Sequence, residues 1–393
     1  MENIIARDVE SIEISGIRKF FNALQNYPDA LSFVFGEPDF PVPEKIKTAV
    51  SEALDLGKTG YTSNAGIPEL REEICKYLLE KNIKYSPDET ALTVGCAEGL
   101  LCAFKAVINS GDKVLIPNPG FPSYKSLLKL CGADPIYYEF NDDFSINIED
   151  LEYKLKIHKP KAIVLCFPSN PTGAILSKND RESLYEIIKN NNIIAISDEI
   201  YCELCFDEYY TPIQHEDIKD KFILVSGFSK MFSMTGLRVG YVCASEQIIK
   251  AVLKVHSYNC SCAPSICQWG ALTGMKECRQ DAIDMKNEFI RRRNYVYDRL
   301  VKMGLDVEMP KGAFYIFPSI KKFGIKSNEF CLRLLDEAGV AVVPGDAFGD
   351  KGEGYMRISY SDNLDNLKKG LDRIEKFIKI NFELVNASIN AEK

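Results

Sequence analysis

Residues 221–241 read KFILVSGFSKMFSMTGLRVGY, and their first part is typical of a strand that is buried on both faces of a sheet. The apolar run 222–225 is followed by Ser226 and Gly227, and Lys230 comes shortly after them. Lysine side chains are mostly exposed. Lys230 is therefore either a solvated loop residue or a reactive amine at the end of a buried strand, and the residues predicted to surround it decide between the two.

Four further apolar runs precede this strand, and amphipathic stretches of helix length separate them. The runs are ALTVG (91–95), KVLIP (113–117), AIVLCF (162–167) and IIAIS (193–197). Alternation of this kind is typical of βαβ units and a largely parallel sheet. We therefore predict a large α/β domain over residues 46–285.

The pattern changes from about residue 281 to a long helix, short strands and a closing helix. We predict that this part and the N-terminal segment form a smaller α+β domain, made of residues 1–45 and 286–393.

The composition argues against several classes of partner. A net charge of −8 over 393 residues disfavours binding to nucleic acid or to an anionic membrane. The N-terminus has charges among its apolar residues, so we do not expect a signal peptide, and no apolar run is long enough to cross a bilayer. The 13 cysteines, an odd number without the spacing of a disulfide scaffold, indicate a reducing cytoplasm.

The cysteines offer weak evidence for a metal site. Cys202 and Cys205 form a CxxC pair, and Cys260, Cys262 and Cys267 cluster, but the chain has only three histidines. We therefore expect these cysteines to be small buried hydrophobic residues, and we expect no metal.

Polar and aromatic residues follow the predicted strands, at the edge where parallel sheets bind ligands. The first strand leads through Gly95, Cys96 and Ala97 into a helix, whose first amides suit a phosphate. The later strands end near the following residues: Phe121, Asn170, Asp198, Tyr201, Lys230 and Arg238.

One ligand explains this set, a pyridine aldehyde that carries a phosphate and a phenolate. A lysine binds its aldehyde, and a carboxylate keeps its ring nitrogen protonated. An arginine and helix amides hold its phosphate. That ligand is pyridoxal 5′-phosphate.

The same residues lie in motifs that resemble those of the class I and II aminotransferases of fold type I. In the order that the family has them, the motifs are FGEPDFPVP, GYTSNAGIPELREEI, PSNPTG, SDEIY, SGFSKMFSMTGLRVGY and YMRISYS. Together they cover almost the whole chain. The resemblance implies a mostly parallel seven-stranded sheet, pyridoxal phosphate as the cofactor and an aminotransferase activity.

The resemblance also implies a role for each site residue. Lys230 forms the Schiff base and moves a proton from the substrate α-carbon, and Asp198 pairs with the pyridinium nitrogen. Asn170 and Tyr201 contact the ring oxygen, and Phe121 stacks on the ring. The phosphate is held by the following groups: Arg238, the amides of Gly95, Cys96 and Ala97, and the hydroxyl of Ser229.

A homodimer with shared active sites is implied as well, in which Tyr61 reaches the phosphate of the other subunit. Arg357 binds the substrate α-carboxylate, with Gly36 and Asn170 nearby. Purely structural roles stay open for some of these residues. Tyr61 and Phe121 could be core aromatics, and Asn170 could shape the turn in which it lies.

Two positions depart from the family's pattern. Gly227 stands where the family often has serine or threonine, which changes part of the set of groups that bind the phosphate. Ala97 stands where one aspartate aminotransferase subgroup has a lysine that recognises the distal carboxylate of the substrate. The second departure argues against strict aspartate specificity.

The resemblance predicts a ping-pong reaction in which an amino acid is the donor and 2-oxoglutarate the acceptor. The branch resembled most includes N-acetyl-diaminopimelate, aromatic and aspartate aminotransferases, so the donor stays open. A carbon–sulfur β-lyase on the same fold is the alternative. A ligand-sensing regulator is disfavoured because the chain has no basic segment that could supply a DNA-binding domain.

Overall fold

A computed structural model gives the fold of residues 4–14 and 16–383, which form helices and short strands in alternation. The α-helices are α1 (Arg7–Glu10), α2 (Gly16–Ala23), α3 (Glu44–Asp55), α4 (Pro68–Glu80), α5 (Gly95–Val107), α6 (Ser123–Leu130), α7 (Ile148–His158), α8 (Lys178–Asn190), α9 (Phe228–Met231), α10 (Glu246–Asn259), α11 (Ser265–Glu277), α12 (Arg279–Lys302), α13 (Ser327–Ala338) and α14 (Leu364–Ile378). The strands are β1 (Leu31–Ser32), β2 (Thr90–Thr93), β3 (Lys113–Asn118), β4 (Asp134–Glu139), β5 (Ala162–Cys166), β6 (Ile194–Asp198), β7 (Phe222–Gly227), β8 (Gly240–Cys243), β9 (Tyr315–Ile316), β10 (Val340–Ala341), β11 (Val343–Pro344) and β12 (Met356–Ser359).

The main sheet has seven strands in the order β2-β8-β7-β6-β5-β3-β4. Strands β3 to β7 are parallel, whereas β8 is antiparallel to both of its neighbours. Every residue of β5 and β7 is buried, because helices cover both faces of the sheet. The prediction of a mostly parallel seven-stranded α/β sheet is therefore confirmed.

All five predicted apolar runs are strands of this sheet, and β4 and β8 complete it. The apolar runs in the sequence did not identify β4 and β8. β4 lies at an edge and is only partly buried, so its sequence is not a continuous apolar run. β8 is four residues long and directly follows the loop that holds Arg238.

The N-terminal segment packs with the C-terminal part of the chain. β1 pairs parallel with β10, and the Ser359 N–H donates to the carbonyl of Phe33. A second small sheet has the order β11-β12-β9 and places Arg357 on its central strand. Among the short strands of this part, β9 has only two residues, and just before it Lys311 and Gly312 donate their amides to the carbonyl of Gly173.

Helix α12 runs through the predicted domain boundary at residue 285, and the division into domains stays a prediction. Within the described residues, no helix combines the length and the apolar character that crossing a bilayer requires.

Candidate active site

A cavity of about 290 Å³ opens at the carboxyl ends of the parallel strands, between the main sheet and β12. It lies where open parallel sheets bind ligands. The predicted site residues that line it are Gly36, Cys96, Ala97, Phe121, Asn170, Asp198, Tyr201, Ser229, Lys230, Arg238 and Arg357. Gly95 and Tyr61 are the predicted residues that do not line it.

Lys230 enters the cavity from the short helix α9, directly after β7 ends. Its amine donates a hydrogen bond to the carbonyl oxygen of Gly36. Desolvation of this amine lowers the pKa of Lys230 to about 8. Close packing explains why residue 227 is glycine. A Cβ there would lie 2.9 Å from the Cα of Gly240 on the paired strand.

Asp198 ends β6 and is buried beside the cavity. Its carboxylate accepts hydrogen bonds from the Tyr124 hydroxyl at 2.9 Å and from the Ile200 amide at 3.2 Å. Burial raises the pKa of Asp198 to about 6. A buried carboxylate held in this way is suited to face a protonated nitrogen, because the two opposite charges compensate each other's desolvation.

Tyr124 is a residue that the sequence analysis missed. It lies in the first turn of α6, lines the cavity and makes an edge-on contact with Phe121, whose ring centroid is 5.7 Å away. The feature of the sequence that could have identified Tyr124 is its position three residues after Phe121. Phe121 also lines the cavity, so it is not only a core aromatic.

Gly95 and Arg238 build a cradle at the start of α5. Both have positive φ, and a Cβ on Gly95 would lie 2.3 Å from Nη2 of Arg238. Only glycine therefore lets the guanidinium approach this turn. The amides of Cys96 and Ala97 lie in the first turn of α5, where they have no intrahelical acceptor. Gly95 thus shapes the cradle without lining the cavity.

Arg357 is buried in β12, with a side chain that is 1% exposed. Its Nη1 donates to Oδ1 of Asn170 at 2.9 Å, and its Nη2 donates to the Val34 carbonyl at 2.6 Å. Within the described residues its Nε has no hydrogen-bond partner. A buried guanidinium without a carboxylate partner is costly, and burial lowers the pKa of Arg357. The site is therefore prepared for an anion.

Tyr315 supports both Arg357 and Tyr201, and the sequence analysis missed it too. The guanidinium carbon of Arg357 lies 4.3 Å from the centroid of its ring, and its hydroxyl is 2.8 Å from that of Tyr201. A Cβ on Gly36 would lie 2.6 Å from the same hydroxyl. Glycine at 36 therefore leaves room for Tyr315.

Tyr61 lies outside the cavity and is 89% exposed. It lines a shallow surface depression together with Cys260 and Cys262. It is therefore not a core aromatic in the subunit, and its predicted contact with the phosphate of a second subunit stays a prediction.

The residues of the cavity fit pyridoxal 5′-phosphate. Arg238 and the first turn of α5 form a cradle for a phosphate, and Asp198 offers a carboxylate to a ring nitrogen. Lys230 supplies an amine whose pKa is low enough for part of it to be neutral near pH 7. The free Nε of Arg357 leaves a place for a second anion, such as a substrate carboxylate.

The comparisons with known proteins agree with this chemistry. The chain matches the family described as aminotransferase class I and II over residues 28–374. It is 42% identical, over 96% of both chains, to the "Probable N-acetyl-LL-diaminopimelate aminotransferase" of Bacillus subtilis (strain 168). It is 38% identical to aromatic-amino-acid aminotransferase 2 of Thermococcus litoralis, over 94% of this chain and 97% of the relative.

Among solved structures, the aspartate aminotransferase of Thermus thermophilus with maleate superposes with a TM-score of 0.91. The two proteins are 31% identical, over 96% of this chain and 100% of that chain. All three proteins are named as aminotransferases, which does not favour the carbon–sulfur lyase that shares this fold.

Proposed function

The chain belongs to the class I and II aminotransferase family, and from this membership we propose the reaction that it catalyses. An L-amino acid gives its amino group to the enzyme and leaves as a 2-oxo acid. In the second half of a ping-pong cycle, 2-oxoglutarate takes up the amino group. Members of the family use pyridoxal 5′-phosphate, which when bound supplies an aldehyde for the amine and a ring that withdraws electrons from the α-carbon.

The observation that carries the proposal is the meeting of three groups in one cavity: the amine of Lys230, the carboxylate of Asp198 and the guanidinium of Arg357. The three come from distant parts of the chain. None of them forms an ion pair with another, so each is available to a ligand group of suitable charge.

We assign the proton transfer to Nζ of Lys230. A neutral amine is needed both to hold the cofactor covalently and to accept a proton from the substrate α-carbon. With a pKa of about 8, the amine is neutral in about a tenth of the molecules at pH 7, whereas an ordinary lysine is almost fully charged.

Asp198 is assigned to the ring nitrogen, where an ionised carboxylate keeps a proton in place. Tyr124 and the Ile200 amide hold the carboxylate by donating to its two oxygens. These donors favour the ionised form and offset part of the cost of burial.

Arg357 is assigned to the substrate α-carboxylate. Its Nη groups are fixed by Asn170 and Val34, and its ring contact with Tyr315 holds the plane of the guanidinium. A bidentate pair orients the α-carbon of the substrate relative to Lys230.

The cavity wall at Ala97 limits the range of amino donors. Its methyl group lines the cavity and offers no charge to a second carboxylate. We therefore propose that donors with an apolar or aromatic side chain are used at least as well as aspartate.

The half-reaction tests the proposal. Holoenzyme mixed with an amino donor and no 2-oxo acid should release about one equivalent of the corresponding 2-oxo acid per subunit and then stop. Adding 2-oxoglutarate should restart turnover and yield glutamate. The Lys230→Ala protein, tested with the same donors, should release none.

Continuous release of pyruvate and ammonia from cystathionine, without any acceptor, would instead identify a lyase. A panel of donors that includes phenylalanine, leucine and aspartate gives the specificity in the same assay. A strict preference for aspartate would contradict the argument from Ala97.

A further inference from the structure

A cluster of three potential metal ligands lies behind the phosphate cradle. It consists of Glu98 in the first turn of α5 and of His256 and Cys260 at the end of α10. His256 is fully buried, and Glu98 and Cys260 are partly buried. None of the three lines the active-site cavity.

The distances between the ligand atoms are within about half an ångström of those of a tetrahedral site. Nδ1 of His256 is 3.0 Å from Oε1 of Glu98 and 3.3 Å from Sγ of Cys260. The sulfur is 3.8 Å from the same Oε1. Ligands of a tetrahedral zinc ion, at their usual bond lengths, are separated by about 3.3–3.6 Å. A cation can therefore be placed between the three atoms with shifts of a few tenths of an ångström.

Several polar groups surround the Oε1 atom of Glu98. Besides His256 and Cys260, the thiol of Cys102 lies 2.8 Å from it and the amide nitrogen of Asn259 lies 3.3 Å from it. A carboxylate oxygen has two lone pairs, and Cys260 has other acceptors within reach, Nδ1 of His256 at 3.3 Å and the His256 carbonyl at 3.8 Å. With a cation at this oxygen, His256 and Cys260 would bind the cation, and Cys102 and Asn259 would be the remaining donors to the carboxylate.

The other oxygen of Glu98 has a separate partner. Oε2 accepts a hydrogen bond from the Val94 amide at 3.1 Å and so caps the start of α5. A cation on Oε1 leaves this cap intact. The carboxylate would then link the cation to the helix turn that forms the phosphate cradle.

We propose that Glu98, His256 and Cys260 bind one divalent cation of the zinc type per subunit. An imidazole and a thiolate favour zinc over magnesium and calcium, which prefer oxygen ligands. Binding displaces the thiol proton of Cys260 to the solvent, forms the metal–sulfur bond and leaves a fourth position for water. The cation joins the end of α10 to the first turn of α5.

From the sequence we expected no metal, and the proposed zinc site revises that expectation. His256 and Cys260 are four residues apart, which places them on one face of α10. Their partner Glu98 is 158 positions away from His256 in the chain, so the sequence alone could not identify the set.

Equilibrium dialysis of the chelator-treated holoenzyme against Zn²⁺, followed by metal analysis, tests the site. Wild type should bind one Zn²⁺ per subunit, and X-ray absorption should show one sulfur at about 2.3 Å from the zinc. Cys260→Ser should weaken binding at least tenfold and remove the sulfur signal. Cys262→Ser changes a cysteine of the same loop outside the cluster and should behave as wild type.

Glu98→Gln provides a second variant, because the amide oxygen can still accept from Val94 while the charge is lost. It should also weaken Zn²⁺ binding at least tenfold. Equal binding by wild type, Cys260→Ser and Glu98→Gln would overturn the proposal, and so would a zinc shell without sulfur in the wild type. Since the readouts are metal content and metal–ligand distance, they do not depend on the proposed reaction.

Discussion

Replacing Arg357 by lysine tests whether the buried guanidinium receives the substrate carboxylate. A bidentate pair would use the free Nε and one Nη of Arg357, whereas the lysine ammonium offers a single nitrogen. The variant keeps the positive charge and loses one charge-assisted hydrogen bond to the substrate. Its single nitrogen also cannot keep both of the bonds that the Nη groups make to Asn170 and Val34. The variant also loses the contact between the guanidinium and the ring of Tyr315, at 4.3 Å.

The smallest expected loss follows from the substrate bond and the ring contact. A hydrogen bond between charged groups contributes about 1.5–3 kcal/mol, and the contact with the ring contributes about 0.5–1 kcal/mol. Their sum, about 2–4 kcal/mol, corresponds to a decrease in kcat/KM for the amino donor of about 30- to 1,000-fold. Cofactor affinity should fall less than kcat/KM, because Arg357 reaches the assigned cofactor ligands through its hydrogen bond to Asn170 and does not itself hold the cofactor.

The assay is the single-turnover half-reaction, followed through the visible absorbance of the holoenzyme at several donor concentrations. Arg299→Lys is the matched control, because Arg299 pairs with Asp372 and Glu375 away from the cavity. It should leave kcat/KM within about twofold of wild type, because Arg299 and its partners do not line the cavity. If Arg357→Lys kept kcat/KM within about threefold, the assignment of the carboxylate to Arg357 would be wrong.

Three further predictions concern the cofactor site and the dimer. Because desolvation lowers the pKa of Lys230 to about 8, the rate at which the apoprotein combines with pyridoxal phosphate should rise about 50-fold from pH 6 to pH 8 and level off above about pH 9. Stopped-flow absorbance measures this rate, and a steady rise to pH 10 would show that Lys230 has the pKa of an ordinary lysine. Tyr124→Phe removes a donor from Asp198, which should raise the pKa of this carboxyl further and weaken cofactor binding about 10- to 100-fold in equilibrium dialysis. Tyr138→Phe, which removes a buried hydroxyl bonded to a carbonyl away from the cavity, is its control, and equal affinities of the two variants would contradict the role given to Tyr124. If Tyr61 completes the site of a second subunit, inactive Tyr61→Ala and Lys230→Ala proteins should regain activity when mixed. Mass spectrometry shows whether subunits have exchanged, and exchange without any recovery of activity would argue against shared sites.

The agreement between sequence and structure is best where the signal is local. Each predicted apolar run is a strand because continuous apolar residues require burial on both faces of a sheet. The polar residues that follow the runs then meet at one edge, because parallel strands end on the same side. Lys230 and Asp198 were predicted as site residues in this way, and both line the cavity.

The sequence by itself determined five strands of the main sheet, the edge at which ligands bind and the residue types offered there, since these depend on short-range pattern and chain direction. Only the tertiary structure decided which distant side chains touch. It brings Tyr315 against Arg357, sets Tyr124 on Asp198 and joins Glu98 to His256. The physical reason is that such contacts join residues far apart in the chain, and no local periodicity encodes their partners.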